Sequence, residues 1–225
     1  EGRFGVVKGG SSFDVDTDGA IVGVEANVMP GVKVGAVLSY LDGEIEAARM
    51  KNNWESWGLH LYGAYQADAF AVKGTAGWLR GTTEAKKDLD SDVWHAGMRA
   101  EYAVPMGAMT VTPFMGAHVM SGSFDDLDSQ TVFSIPLGAK LWGEINAAGW
   151  KLTPAIEAAY VRSMGDTDAE TTDADLRFLP KDALRGAVGF KAEKGMWSGE
   201  LSYVGATGSN DYRSNSLNVK VGLQF

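Results

Sequence analysis

The chain has 225 residues, a formal net charge of −9 and no cysteine. The acidic balance excludes a nucleic-acid partner, which needs a basic footprint, and the lack of cysteine excludes disulfides and thiolate metal sites. No run approaches the roughly 18 apolar residues of a membrane helix, but that test is blind to a membrane strand, which needs only about 9–11 residues with every second one apolar.

Period-two alternation runs through the chain, in twelve segments near 3–8, 19–29, 32–42, 55–66, 70–80, 91–104, 109–121, 130–143, 150–162, 183–194, 196–206 and 214–225. Ahead of the second segment, "DVDTDGAIVGVE" (Asp14 to Glu25) has the spacing of an EF-hand calcium loop. An EF-hand needs flanking helices, and both flanks here alternate as strands. A strand rising about 3.3 Å per residue carries Glu25 away from the aspartates. At most, Asp14, Asp16 and Asp18 make a loop-tip contact with calcium; no other metal and no cofactor is expected. Further along, Trp57, Leu59, Leu61 and Tyr65 share one face of the fourth segment, against His60, Tyr62 and Gln66 on the other. The sixth sets Trp94, Met98 and Tyr102 against His95, Arg99 and Glu101. The last sets Leu217, Val219, Val221, Leu223 and Phe225 against Asn218, Lys220 and Gln224.

The connections alternate in length. Tight turns fall at 29–31, 67–69, 105–108, 146–149 and 194–195, and longer acidic loops near 9–18, 43–54, 81–91, 121–130, 163–182 and 206–213. Short turns on one rim and long loops on the other describe a closed, all-β, antiparallel transmembrane barrel forming a single domain. With twelve strands both chain ends fall on the short-turn, periplasmic rim.

The two faces differ in charge. The apolar parity has no ionisable residue in mid-strand, and Arg80 and Arg162 fall at the long-loop ends. The opposite parity carries Glu25, Lys33, His60, Lys73, His95, Arg99, Glu101, His118, Lys140, Glu144, Glu157, Arg185, Lys191, Glu193, Glu200 and Lys220. A charge facing lipid at mid-depth costs about 2–4 kcal/mol, and one in a dry interior costs several unless paired. A water-filled lumen lined by these sixteen residues avoids both penalties. Outward aromatics fall into two bands, with Tyr40, Trp57, Trp78 and Tyr160 toward the long loops and Tyr65, Phe70, Tyr102 and Trp197 toward the short turns, as interfacial girdles do. The three histidines share the inward parity, no HExxH or GxSxG pattern occurs, and no catalytic residue is expected.

Twelve strands, a polar lumen, a terminal aromatic strand and the opening "GRFGVVKGGSSFDVDTDGAIVGVEANVMPGVKVGAVLSYLDG", with Gly19, Gly23, Glu25, Gly35 and Tyr40 in their order and spacing, resemble the C-terminal translocator domain of autotransporters, the type V secretion system. The resemblance implies a monomeric outer-membrane pore, anchored in lipid, that carries its own N-terminal passenger across the membrane. It also implies that Leu217, Val219, Val221, Leu223 and Phe225 form the signal read by the barrel-assembly machinery. A diffusion porin or solute channel of the same architecture is one alternative. An adhesin barrel binding partners through its loops is another.

Overall fold

The structure is a computed structural model describing residues 2–9, 13–47, 50–84, 88–124, 127–166, 180–209 and 212–223. Its elements are strands: β1 (Gly2–Gly9), β2 (Phe13–Met29), β3 (Val32–Ala47), β4 (Met50–Ala67), β5 (Phe70–Thr83), β6 (Leu89–Tyr102), β7 (Val104–Met106), β8 (Met109–Phe124), β9 (Leu127–Gly143), β10 (Ile145–Ala147), β11 (Trp150–Gly165), β12 (Asp182–Lys194), β13 (Trp197–Gly208) and β14 (Arg213–Leu223). β7 and β10 are short continuations of β6 and β9, pairing with β8 and β11 respectively. The wall therefore has twelve staves. Each pairs antiparallel with the next, and β1 pairs with β14 from Gly2↔Val219 to Lys8↔Arg213, which closes the ring. Following paired residues once around it returns to β8 displaced by about 14 residues, a stagger that tilts the strands roughly 35–45° to the axis.

The tight turns match their chemistry. Gly31 takes φ +75, and Ala148 and Gly149 are consecutive positive-φ residues (51 and 79), the pairing that lets a two-residue turn follow strand twist. The expected long loops at 9–18 and 43–54 are instead largely strand. Asp16 pairs with Glu44 and Asp18 with Asp42, so the β2–β3 ladder carries on well beyond the Tyr40–Trp57 ring contact. Alternation continues there with its polarity reversed, Asp42 and Glu44 lying on the outward parity of Tyr40, and Leu41 and Ile45 on the inward one, which hides a strand projecting into water from a pattern search. The β8–β9 ladder lapses between Met115↔Leu137 and His118↔Ser134, beside Pro136, which has no N–H to give.

Burial is inverted relative to a water-soluble protein. Val24, at 76%, and Leu61, at 57%, are among many large apolar side chains exposed on the outer wall, whereas the buried positions include Ser39, Ser56, Thr112, Ser121 and Ser163. A hydroxyl pair, Ser134 with Ser163 at 3.0 Å, holds part of this inner surface, and Ser121 bonds Thr131 at 2.8 Å on the outward parity, opposite Trp94. Phe114, 4% exposed, is the largest apolar group among the buried residues. It sits against Gly138, where an added Cβ would meet the Ala158 carbonyl, Phe114 Cζ at 2.6 Å and Ala159 Cα at 2.8 Å. Gly138→Ala is therefore expected to destabilise the barrel by about 3 kcal/mol. Gly63→Ala, whose Cβ would find nothing nearer than 3.7 Å, should change stability by less than about 0.5 kcal/mol. Urea unfolding midpoints of the two variants in the same detergent would check the contrast.

Candidate functional site

β6 and β11 are separated by two staves, β8 and β9, yet their side chains meet. Arg99 on β6 donates to Glu157 on β11 through both terminal nitrogens, at 3.1 and 2.8 Å. In a closed ring that contact runs through the interior. Glu101 lies 2.7 Å from Arg99 Nε and 2.8 Å from Lys73, and Arg185 approaches Glu157 at 4.0 Å. The guanidinium stacks 3.4 Å above the Phe114 ring, which gives the fork a flat floor. Together these groups form an ionic bar across one side of the lumen, with the inner surface of β8 and β9 beneath it.

A second cluster lies toward the long loops. Ser39 Oγ is 2.9 Å from His60 Nε2, His60 Nδ1 is 2.9 Å from His95 Nε2, and the His95 and His118 rings are 5.5 Å apart. Register explains the row: His60 and His95 both stand opposite Gly77, and His118 opposite Gly97. The glycines leave room for the rings, since a Cβ on Gly77 would strike both neighbouring imidazoles and one on Gly97 would lie 2.7 Å from His118 Cδ2. The Ser39–His60 contact resembles a nucleophile and its base. The surrounding backbone belongs to the β3–β4 and β4–β5 ladders.

At the short-turn end Glu25 accepts from Tyr62 Oη at 2.7 Å and lies 2.6 Å from Lys33. The Tyr62 ring covers Gly35, where a Cβ would collide with it. Lys151 pairs with Glu144 at 2.7 Å and Lys191 with Glu193 at 2.8 Å. Lys140 stands opposite Glu157 in the ladder, and Glu200 opposite both Lys191 and Lys220. Tyr62→Ala would remove the phenol from Glu25 and uncover Gly35. The expected loss is about 1–2 kcal/mol, and Tyr62→Phe should lose only about 1 kcal/mol of it, because the ring then stays. Paired unfolding curves would separate the two.

Thirteen of the sixteen ionisable residues picked from parity make the ion-pair, hydrogen-bond or ring contacts above, and Lys140, Glu200 and Lys220 are placed by ladder register. Sequence reasoning missed their neutral partners: Tyr62, Ser39 and Phe114. Tyr62 and Phe114 left a signal, as aromatics on the polar parity of His60 and His118. Asp16 and Asp18 belong to β2 rather than a loop tip, and the side chain of Asp14 lies outside the described residues. Among the described residues no group of three or more His, Asp or Glu is arranged to hold a metal ion. Beyond the upper girdle Lys51 pairs with Glu44 at 2.7 Å, and that hydrogen bond holds its ammonium above the usual lysine range. Of the expected assembly signal, Leu217, Val219, Val221 and Leu223 are exposed along β14, and Phe225 lies outside the described residues.

A closed antiparallel ring, apolar outside and ionised within, defines a transmembrane β-barrel. The autotransporter β-domain family matches the chain over residues 1–204. Solved structures of similar shape include the β-domain of the Bordetella autotransporter BrkA (TM-score 0.81, 12% identity, covering 100% of this chain and 97% of that one). The translocator domain of NalP from Neisseria meningitidis follows (TM-score 0.75, 18% identity, 100% and 86% coverage). The transport unit of AIDA-I from Escherichia coli is also similar (TM-score 0.71, 10% identity, 99% and 88% coverage). A comparison with curated protein sequences gave no match. The chain belongs to the autotransporter β-domain family, and it is an outer-membrane translocator for a passenger.

Proposed function

We propose that the passenger crosses this barrel through the lumen lined by the three ionic groups, as an extended hairpin or a single helix. Twelve staves leave an interior near the roughly 10–12 Å width of one helix, too narrow for a folded domain. The observation that carries the reading is the Arg99–Glu157 bridge, an ion pair made through the ring's interior. Acids and bases are interleaved there, so a passing polar chain is hydrated without being trapped by one sign of charge. In this reading both chain ends stand on the periplasmic rim, the barrel works as a monomer, and the barrel-assembly machinery reads β14 and its terminal Phe225. The pore itself catalyses no reaction in this reading.

Planar-bilayer conductance of the purified barrel tests this. With a helix-length segment fused ahead of Glu1, ion flow is expected to fall several-fold, and removing the segment should restore it. Equal conductance with and without the segment would place the crossing route outside the lumen.

A further inference from the structure

The outer wall over β11–β14 carries an apolar groove with a polar end, in a cavity of about 710 Å³. Its floor is the register row Ala158↔Gly186↔Gly205↔Asn215. The row toward the short turns, Ile156↔Val188↔Tyr203↔Leu217, raises one bank. The row toward the long loops, Tyr160↔Leu184↔Thr207↔Arg213, raises the other. Leu184 at 63% and Leu217 at 48% exposure mark this as the outward face. Gly186 and Gly205 cut a channel between the banks. Ala139, opposite Ala158, prolongs it onto β9. Spanning β9 to β14, four inter-strand spacings, the channel is about 19 Å long.

The β14 end is rich in donors. Asn215 Oδ1 accepts from Tyr203 Oη at 2.7 Å, so its amide hydrogens remain free to donate. Thr207 brings a hydroxyl. Arg213 brings an exposed guanidinium with no ion pair among the described residues, unlike Arg162, which is neutralised by Asp182 at 2.6 Å. A guanidinium, an amide and a hydroxyl converging beside an apolar channel suit an anion with several acceptor oxygens attached to a hydrocarbon chain. We propose that this groove holds one acyl chain of a phosphate-bearing lipid from the leaflet at the long-loop rim, with its phosphate on Arg213, Asn215 and Thr207. The charge at one end and the bare channel behind it complement the two halves of such a molecule, whereas a docked protein strand would need an open sheet edge that the closed ring lacks.

Native mass spectrometry of the detergent-purified barrel tests this with two probes of identical chains, dipalmitoyl phosphatidic acid and dipalmitoylglycerol. One bound copy of the phosphatidic acid is expected, about tenfold tighter than the diacylglycerol. Arg213→Gln should erase that difference. Gly186→Leu should weaken both lipids about tenfold by filling the channel. It should leave the unfolding midpoint unchanged, since a Cβ there meets nothing nearer than Glu157 O at 4.0 Å. Equal binding of the two lipids by the wild type would overturn the proposal, as would wild-type binding by Gly186→Leu. Full displacement of the lipid by equimolar inorganic phosphate would also overturn it, by showing an anion site with no role for the chain. Because none of these readouts involves the passenger, a failure here is distinct from a failure of the transport reading.

Discussion

An Arg99→Ala barrel is expected to conduct ions several-fold better than the wild type and to unfold more easily. Arg99 is the centre of the bar across the lumen. It holds Glu157 from across two intervening staves, pairs with Glu101 on its own strand and caps the Phe114 ring. Removing it clears the space the side chain occupies. It also leaves Glu101 and Glu157, whose side chains are only 11% and 17% exposed, without their shared cation. Stranding a carboxylate in a dry interior costs about 3–5 kcal/mol; because Glu101 keeps Lys73 and Glu157 keeps the more distant Arg185 in a hydrated pore, the loss should be about 1–3 kcal/mol. Single-channel recording and urea unfolding report the two effects separately. Arg99→Lys should restore charge but not the two-pronged bridge, and should fall between them. A variant with unchanged conductance would mean that the bar does not limit the open cross-section.

Leu61→Arg is expected to destabilise the folded barrel in lipid by about 2–4 kcal/mol, the range for a cation facing the bilayer midplane. Leu61 is 57% exposed near the middle of β4, between the outward Trp57 and Tyr65. The control is Thr75→Arg on β5. Thr75 stands opposite Tyr62, whose hydroxyl bonds Glu25, so the new guanidinium would enter the ionised interior. That change should amount to less than about 1 kcal/mol. Folding the two variants into lipid vesicles and titrating with urea gives the comparison. If both behaved alike, the assignment of faces on these staves would be wrong.

The faces could be read from sequence because a strand repeats every two residues and the two environments differ in kind. Leu59 and Leu61 against His60 and Tyr62 is enough to decide a stave. The number of staves followed from the same alternation, punctuated by turns such as Pro30-Gly31 and Ala148-Gly149. The strand ends toward the long loops were less legible, because Asp16, Asp18, Asp42 and Glu44 form a ladder in water, where neither face needs apolar residues. The contacts inside the lumen were harder still. That Ser39 meets His60, or that Arg99 finds Glu157, depends on register and ring closure, which single-strand periodicity does not encode. The outer groove needs two registers at once to bring Gly186 and Gly205 beside Asn215.

The order of the staves bears on how the wall can be built. Every lateral pairing but one joins strands adjacent in the sequence, as hairpins do. The exception is the seam where β1 meets β14. Hairpins close short loops, whereas the seam brings together the two ends of the described chain and carries the largest single loop-closure cost. It is also a short ladder, from Gly2↔Val219 to Lys8↔Arg213, compared with β3 and β4, which pair from Val32↔Tyr65 to Ala47↔Met50. The sheet can therefore grow one hairpin at a time as a curling ribbon, with its first and last edges joining at the end. When the finished barrel is strained, that same junction is where it should part first.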